Sequence, residues 1–196
     1  MTILIDNGHG VDTPGKRSPD GTFREYKWCR EVARMVCDLL QAMGYDARLL
    51  VPEEMDVSLQ ERCRRANRFD KKRTILVSIH NNAAGNGSRW MTARGWSIYT
   101  TRGVTEADFL AECIWMRAKA SFKSPLSVRS YSNARLGHDY EENFYILLHT
   151  YCPAVLVEHF FQDNKDDVRY LLTSRAKAEC AEVIVDGVVD YIKSKH

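Results

Sequence analysis

The sequence predicts an α/β fold made of one domain, residues 1–196. Short apolar runs with β-strand character alternate along the chain with segments whose apolar residues recur at helical spacing. No internal repeat, linker or low-complexity segment interrupts this alternation. A chain of 196 residues is long enough to bury roughly 70% of its unfolded surface as one domain.

The first half of the chain predicts three strands and two helices. The clearest helix carries Trp28, Val32 and Val36 at helical spacing and ends before Gly44, a common stop after a helix. The predicted elements are a strand at 2–6, a helix at 26–43, a strand at 45–51, a helix at 58–69 and a buried strand at 74–80.

The second half predicts three more strands and three more helices. Thr105 and Asp108 have the spacing of a capping box at the start of a helix. In order, we predict a loop at 81–88, a strand at 95–100, a helix at 105–120, an irregular segment at 121–142, strands at 145–149 and 154–160, and helices at 166–172 and 175–193.

Composition and charge argue against several classes of protein. The 28 basic and 26 acidic residues give a net charge of only +2, and the richest basic runs, 62–65 and 71–73, are short, so we expect no nucleic-acid partner. No 18 consecutive uncharged apolar residues occur, and the chain begins without a basic leader, so we expect no membrane insertion and no signal peptide. We expect a monomer made in the cytoplasm, with its six cysteines reduced.

Three apolar strand-like runs each lead directly into an ionisable side chain. These side chains are His9, His80 and Glu158. Strands hold side chains rigidly, and strand ends border a crevice that substrate can enter, so residues at these positions suit a catalytic site. Two imidazoles and one or two carboxylates at one edge of a sheet would suit zinc.

Each candidate also has an ordinary structural interpretation when it is taken alone. His9, between two glycines, is also typical of a loop, and His80 is consistent with a hydrogen-bonded core histidine. Glu25 opens the first helix, where the helix dipole favours an acidic residue. Glu158 is harder to explain structurally, because a carboxylate that closes an apolar strand is costly to bury without a partner.

Five sequence fragments follow one another along the chain: Asp6-Asn7-Gly8-His9-Gly10; Glu25; Ser58-Leu59 with Arg62 and Ala66-Asn67; Ser78-Ile79-His80-Asn81-Asn82-Ala83; and Pro153-Ala154-Val155-Leu156-Val157-Glu158 with Phe161 and Asn164. Together they resemble the zinc-dependent N-acetylmuramoyl-L-alanine amidases of the Amidase_3 family. The resemblance spans nearly the whole chain. Any one fragment is a weak signal, but five in the right order are specific.

The resemblance implies a mixed, mostly parallel sheet of about six strands flanked by helices, with one catalytic zinc ion (Zn²⁺) at its edge. It implies that His9, Glu25 and His80 bind the metal and that Glu158 is the catalytic carboxylate. The implied substrate is peptidoglycan, cleaved by water at the amide bond between N-acetylmuramic acid and L-alanine. The chemistry agrees: two histidines and one glutamate are a known set of ligands for catalytic zinc, which activates water, and a further carboxylate can move the proton.

Two other functions stay open on the residues alone. A zinc peptidase or carboxypeptidase acting on the stem peptides of the cell wall would share the metal chemistry and cut a different bond. A non-catalytic wall-binding module would lack the general base, whereas Glu158 is present. The resemblance favours a single catalytic amidase domain with no separate wall-binding domain, as in a phage endolysin or a mobile-element enzyme that reaches the wall after synthesis in the cytoplasm.

Further residues are predicted around this site. Asp6 and Asn82 are candidates to hold the imidazoles in place. Segment 129–145 is aromatic and basic enough to line a substrate groove, as an alternative to a loop packed on the core; its members are Tyr131, Arg135, His138, Tyr140, Phe144 and Tyr145. The chain departs from the family pattern after Glu158, where His159-Phe160 replaces a small residue and a glycine.

Overall fold

The computed structural model describes residues 1–131 and 137–195, and within them it contains six strands and six helices. The strands are β1 (Thr2–Asn7), β2 (Asp46–Leu49), β3 (Thr74–Asn82), β4 (Ser97–Thr100), β5 (Tyr140–Glu141) and β6 (Ala154–Phe161). The helices are α1 (Glu25–Ala42), α2 (Leu59–Ala66), α3 (Glu106–Ser121), α4 (Tyr145–Leu148), α5 (Lys165–Leu171) and α6 (Ser174–Lys193).

All six strands belong to one sheet, in the order β2-β1-β3-β6-β4-β5. Strands β2, β1, β3 and β6 are parallel to one another, whereas β4 runs antiparallel to β6 and parallel to β5. The predicted fold class, an α/β domain with a mixed and mostly parallel sheet of six strands, is therefore confirmed.

The two faces of the sheet are covered by different helices. On one face, Ile5 of β1 and Val77 of β3 belong to the larger hydrophobic core, together with the apolar sides of α1, α3 and α6. On the other face, Leu4 and Leu76 belong to a smaller core that is covered by α2 and α4. Because side chains alternate between faces along a strand, the strand ends that follow Leu4 and Leu76 direct polar residues toward this thinner side.

Two of the predicted elements are wrong. The predicted strand at 145–149 is helix α4, because the short apolar run Tyr145–Leu148 fits either periodicity and the chain starts a helical turn after Phe144. The segment predicted to be irregular, 121–142, contains the edge strand β5, whose two residues are too few to leave a periodic signal. The predicted capping box at Thr105 is present and begins α3.

Strand β3 continues two residues into the predicted loop, as far as Asn82. None of the described helices is long and apolar enough to cross a membrane. All six cysteine side chains carry free thiols, and five of them are buried.

Candidate metal centre

Three predicted ligands meet at the carboxyl ends of β1 and β3. His9 lies just beyond β1, His80 lies near the end of β3, and Glu25 is the first residue of α1. Their ligand atoms all lie within 4.8 Å of one another. The Oε1 atom of Glu25 is 3.3 Å from Nε2 of His9 and 3.2 Å from Nδ1 of His80. The structure therefore brings these three residues together in one cluster.

The backbone around His9 is shaped for this approach. The amide of Gly8 donates to the carbonyl of Ile79, which continues the contact between β1 and β3. His9 then adopts a φ of 61°, a left-handed conformation that costs a non-glycine residue about 1–3 kcal/mol. The Arg30 guanidinium donates to the carbonyl of His9 at 2.7 Å and holds the turn. Strain of this kind persists only where the surrounding structure imposes it, and here it directs the imidazole toward Glu25.

The space beside His80 exists because residue 8 is glycine. A Cβ atom at Gly8 would lie 2.4 Å from Cε1 and 2.5 Å from Nδ1 of the His80 ring. The imidazole therefore occupies the position that a side chain at residue 8 would fill. Two imidazoles and one carboxylate also match a donor set found in catalytic zinc sites, which keep a further position open. The residues present thus fit a zinc ion.

The charges of the cluster are strongly coupled. Glu25 is only 1% exposed, and although burial raises the pKa of its carboxyl, hydrogen bonds to His80 and His9 hold that pKa below its usual range. Burial lowers the pKa of His80, but its hydrogen bond to Glu25 outweighs burial and the pKa is raised. Glu25 and His80 thus favour each other's charged forms, whereas a histidine that binds a metal ion must be neutral.

Glu25 is held in place by two neighbours on other elements. Gln162, just after β6, donates from Nε2 to Oε2 of Glu25 at 2.7 Å and to the carbonyl of Asn81 at 3.1 Å. The backbone amide of Asn81 donates to Oε1 of Glu25 at 3.1 Å. Sequence reasoning missed Gln162, although its position at the carboxyl end of a buried strand is the same signal that identified the other candidates.

Asp6 supports the site through an arginine rather than an imidazole. Its carboxylate accepts from Nη1 of Arg62 at 2.6 Å and from the hydroxyl of Ser78 at 2.5 Å. Arg62 is 2% exposed and also donates to the carbonyl of Asn7. Asn82 likewise makes no hydrogen bond to an imidazole among the described residues: its Nδ2 donates to the Tyr99 hydroxyl at 3.4 Å. Neither residue therefore has the predicted contact with a ligand histidine.

Glu158 is paired with His80 across β3 and β6, which places it on the same face of the sheet as the cluster. Its Oε2 atom is buried, and no hydrogen-bond partner for it exists among the described residues. Burial raises the pKa of Glu158 to about 8, although the charge of His80 opposes the shift. An unpaired carboxylate oxygen beside a candidate metal site can accept a proton from a molecule that binds there.

A cavity of about 300 Å³ adjoins the cluster. His9 and His80 line one side of it, and residues of α2 with the segment before it line another; the remaining lining residues are Asp6, Asp56, Val57, Ser58, Leu59, Arg62 and Ile146. A larger cavity, about 700 Å³, lies at the ends of α3 and α5 and contains none of the predicted site residues. The smaller cavity is therefore identified as the candidate site by the metal-binding side chains that line it, and not by its volume.

His159 does not take part in the site. It lies on the opposite face of β6 from Glu158, is fully buried, and packs between Trp28 and Trp96. The indole of Trp96 donates to Nδ1 of His159 at 3.2 Å. Burial lowers the pKa of His159 to about 3, so the ring is neutral.

Three of the predicted groove residues form one aromatic cluster with Tyr99, in which Tyr140 and Phe144 pack against the smaller hydrophobic core. Tyr140 and Phe144 pack against Tyr99 with ring centroids 5.4 and 5.3 Å apart, and Tyr131 packs edge-on against Tyr140. Arg135 lies outside the described residues. The other members pack elsewhere, since His138 stacks on Trp115 and Tyr145 contacts His149.

Comparisons with known proteins point to one family. Residues 3–190 match the family model described as Amidase_3, N-acetylmuramoyl-L-alanine amidase. The chain is 28% identical to N-acetylmuramoyl-L-alanine amidase AmiC of Neisseria meningitidis, covering 98% of this chain and 53% of that protein. It is 26% identical to the endolysin of Bacillus phage SPP1, covering 98% of this chain and 66% of the relative.

A solved structure has the same fold over its whole length. The N-acetylmuramoyl-L-alanine amidase of Clostridium difficile 630 superposes with a TM-score of 0.80 at 26% identity, covering 100% of this chain and 98% of that one. The chain spans about half to two thirds of the length of the two curated relatives above.

Proposed function

This chain belongs to the Amidase_3 family of N-acetylmuramoyl-L-alanine amidases, and we propose that it hydrolyses the amide bond between N-acetylmuramic acid and L-alanine in bacterial peptidoglycan. The proposal includes a zinc ion held by His9, Glu25 and His80, with Glu158 as the catalytic carboxylate. The single observation that carries it is the convergence of those three ligand atoms within 4.8 Å of one another, beside an unsatisfied carboxylate.

The protein's own residues supply orientation. Gln162 and the Asn81 amide fix the two oxygens of Glu25, and Gly8 leaves room for the His80 ring. When bound, zinc polarises the scissile carbonyl and acidifies water. Ligands that are already held in position lose little freedom when the metal binds.

Glu158 has the acid–base role in this proposal. It would take one proton from the attacking water and then donate that proton to the nitrogen of L-alanine, so that the amine leaves neutral and the carboxylate is regenerated. Its partner-free Oε2 is on the same face as the cluster, because Glu158 and His80 are neighbours in adjacent parallel strands.

The test compares the native protein with Glu158→Gln, and with Glu182→Gln as a matched control on the exposed side of α6. We expect one zinc per chain in all three. Release of L-alanine amino termini from purified wall should fall roughly 100- to 10,000-fold in Glu158→Gln alone.

Three results would contradict the proposal: absence of bound metal, full activity of Glu158→Gln, or cuts only within the stem peptide. The last would instead identify a zinc peptidase. The proposed place of action is the cell wall. A monomeric state, and synthesis in the cytoplasm with phage-like or mobile-element delivery, stay predictions.

A further inference from the structure

Strand β6 contains a bulge immediately after Glu158. His80 pairs with Glu158 and Asn82 pairs with Phe161, so three steps along β6 match two along β3. Phe160 has a φ of 63° and packs in the larger core. The extra residue reverses the alternation, and Phe161 therefore shares the face of Asn82 and His80 instead of pointing away from the metal cluster.

Arg129 lies against the residue that the bulge places on this face. Its guanidinium carbon is 5.3 Å from the ring centroid of Phe161 and 5.3 Å from that of Tyr140. The backbone of Arg129 is fixed, because its amide donates to the carbonyl of Trp96 at 2.8 Å and its carbonyl accepts from the indole of Trp115 at 2.9 Å. A half-buried cation is thus held between two aromatic rings.

The charge of Arg129 has no ionic partner among residues 1–131 and 137–195. The intervening residues 132–136 include neither aspartate nor glutamate. Arg62 and Arg65 differ in this respect, because Arg62 pairs with Asp6 and Asp56 and Arg65 pairs with Glu53. The guanidinium of Arg30 is occupied by backbone carbonyls, including that of His9. The guanidinium of Arg129 therefore keeps its donors available, in a fork that matches a carboxylate.

Arg129 is close enough to Glu158 for both to contact one substrate. Ser97 pairs with Glu158 across β4 and β6, and the preceding residue, Trp96, pairs with Val128 on the other side of β4. Two strand spacings of about 4.8 Å put the Arg129 backbone roughly 10 Å from Glu158.

The geometry points to Arg129 as the residue that binds a carboxylate of the peptide portion of the substrate. This inference rests on the proposed amidase function. The lactyl carboxyl group of N-acetylmuramic acid is consumed in the scissile amide, so the free carboxylates belong to the peptide. An extended peptide advances about 3.5 Å per residue. Arg129 therefore selects for a carboxylate on the second or third residue of the peptide over the corresponding carboxamide.

The experiment uses synthetic N-acetylmuramoyl-L-alanyl peptides with an amidated C-terminus. In each pair, the second or the third residue carries either a side-chain carboxylate or the carboxamide that replaces it. Cleavage is measured for the native protein, Arg129→Gln and Arg129→Lys, with Arg175→Gln as the control. Arg175 is 81% exposed at the start of α6, and its substitution makes the same change in charge.

We expect the native protein to prefer the carboxylate form of one pair by about 10- to 100-fold in kcat/KM, mainly through KM. In Arg129→Gln this preference should fall to within about twofold, with Arg129→Lys intermediate because it keeps the charge and loses the fork. Arg175→Gln should keep the native preference. A purely structural role for Arg129 would reduce cleavage of both forms equally and leave the preference unchanged.

Other outcomes overturn the inference in distinguishable ways. If the native protein cleaves both forms equally, Arg129 does not bind a carboxylate, while the amidase function stands. An unchanged preference in Arg129→Gln leads to the same conclusion. If the native protein cleaves no substrate at the muramoyl–alanine bond, the proposed function and the role of Arg129 both fail.

Discussion

Substitution of Gly8 by alanine tests whether metal binding requires the His80 ring to occupy the space beside Gly8. The added Cβ would lie 2.4 Å from Cε1 of His80, whereas ordinary contacts of this kind begin near 3.4 Å. The ring must therefore move by roughly 1 Å. Ligand distances in metal sites hold to about 0.2 Å, so the displaced imidazole is lost as a ligand. We expect the affinity for zinc to fall by about 100-fold or more.

The assay is competition for zinc against a chelator of known affinity, with thermal unfolding measured in parallel. Gly103→Ala is the control, since a Cβ there would meet no atom within 4 Å although Gly103 has a φ of 94°. Gly103→Ala therefore adds backbone strain but no clash with the His80 ring. Native zinc affinity in Gly8→Ala, or an equal loss in Gly103→Ala, would refute the reasoning.

Two further predictions concern the neighbours of the cluster. Gln162→Leu removes the hydrogen bond to Oε2 of Glu25 and should weaken zinc binding by about 10- to 100-fold in the same competition assay. The control is Gln41→Leu, at the far end of α1, which should keep the native zinc affinity. An equal loss of affinity in both variants would contradict the role of Gln162. Because the pKa of His159 is lowered to about 3, the unfolded chain binds a proton there below pH 6.5 that the folded protein does not, so stability falls as pH falls. Between pH 6.5 and 5, denaturant titrations should show a loss about 1.6 kcal/mol larger for the native protein than for His159→Phe. The exposed His149→Phe should keep the native slope, and identical slopes in all three proteins would contradict a buried neutral His159.

The sequence predicts the strands that carry the site because each is a strong local signal. β1, β3 and β6 are apolar runs buried on both sides, and their carboxyl ends must share one edge when the strands are parallel. That rule is sufficient to bring His9 and His80 together and to place Glu158 beside them. The ligand roles of these residues stay a prediction that the metal measurements address.

Residues whose positions depend on tertiary contacts were not predictable in this way. Gln162 reaches Glu25 only because the bulge in β6 shifts the chain that follows it, and a bulge is not visible in periodicity. The prediction of a strand at 145–149 was wrong for a related reason, because four apolar residues in a row fit the period of a helix as well as that of a strand. Arg129 illustrates a third case, since its cationic character was evident but the two rings that hold it come from β5 and β6.

The departure from the family pattern at Phe160 has a physical explanation. Residue 160 adopts a φ of 63°, a conformation in which glycine is unstrained, and phenylalanine incurs about 1–3 kcal/mol there. Its ring is fully buried between Phe122 and Tyr170, each with a centroid distance of 5.1 Å, and burial of a phenylalanine contributes about 1.5–3 kcal/mol. The two effects nearly cancel, so the bulge that puts Glu158 and Phe161 on one face persists without glycine. The requirement at this position is therefore the left-handed backbone itself, and the side chain is free to serve the core.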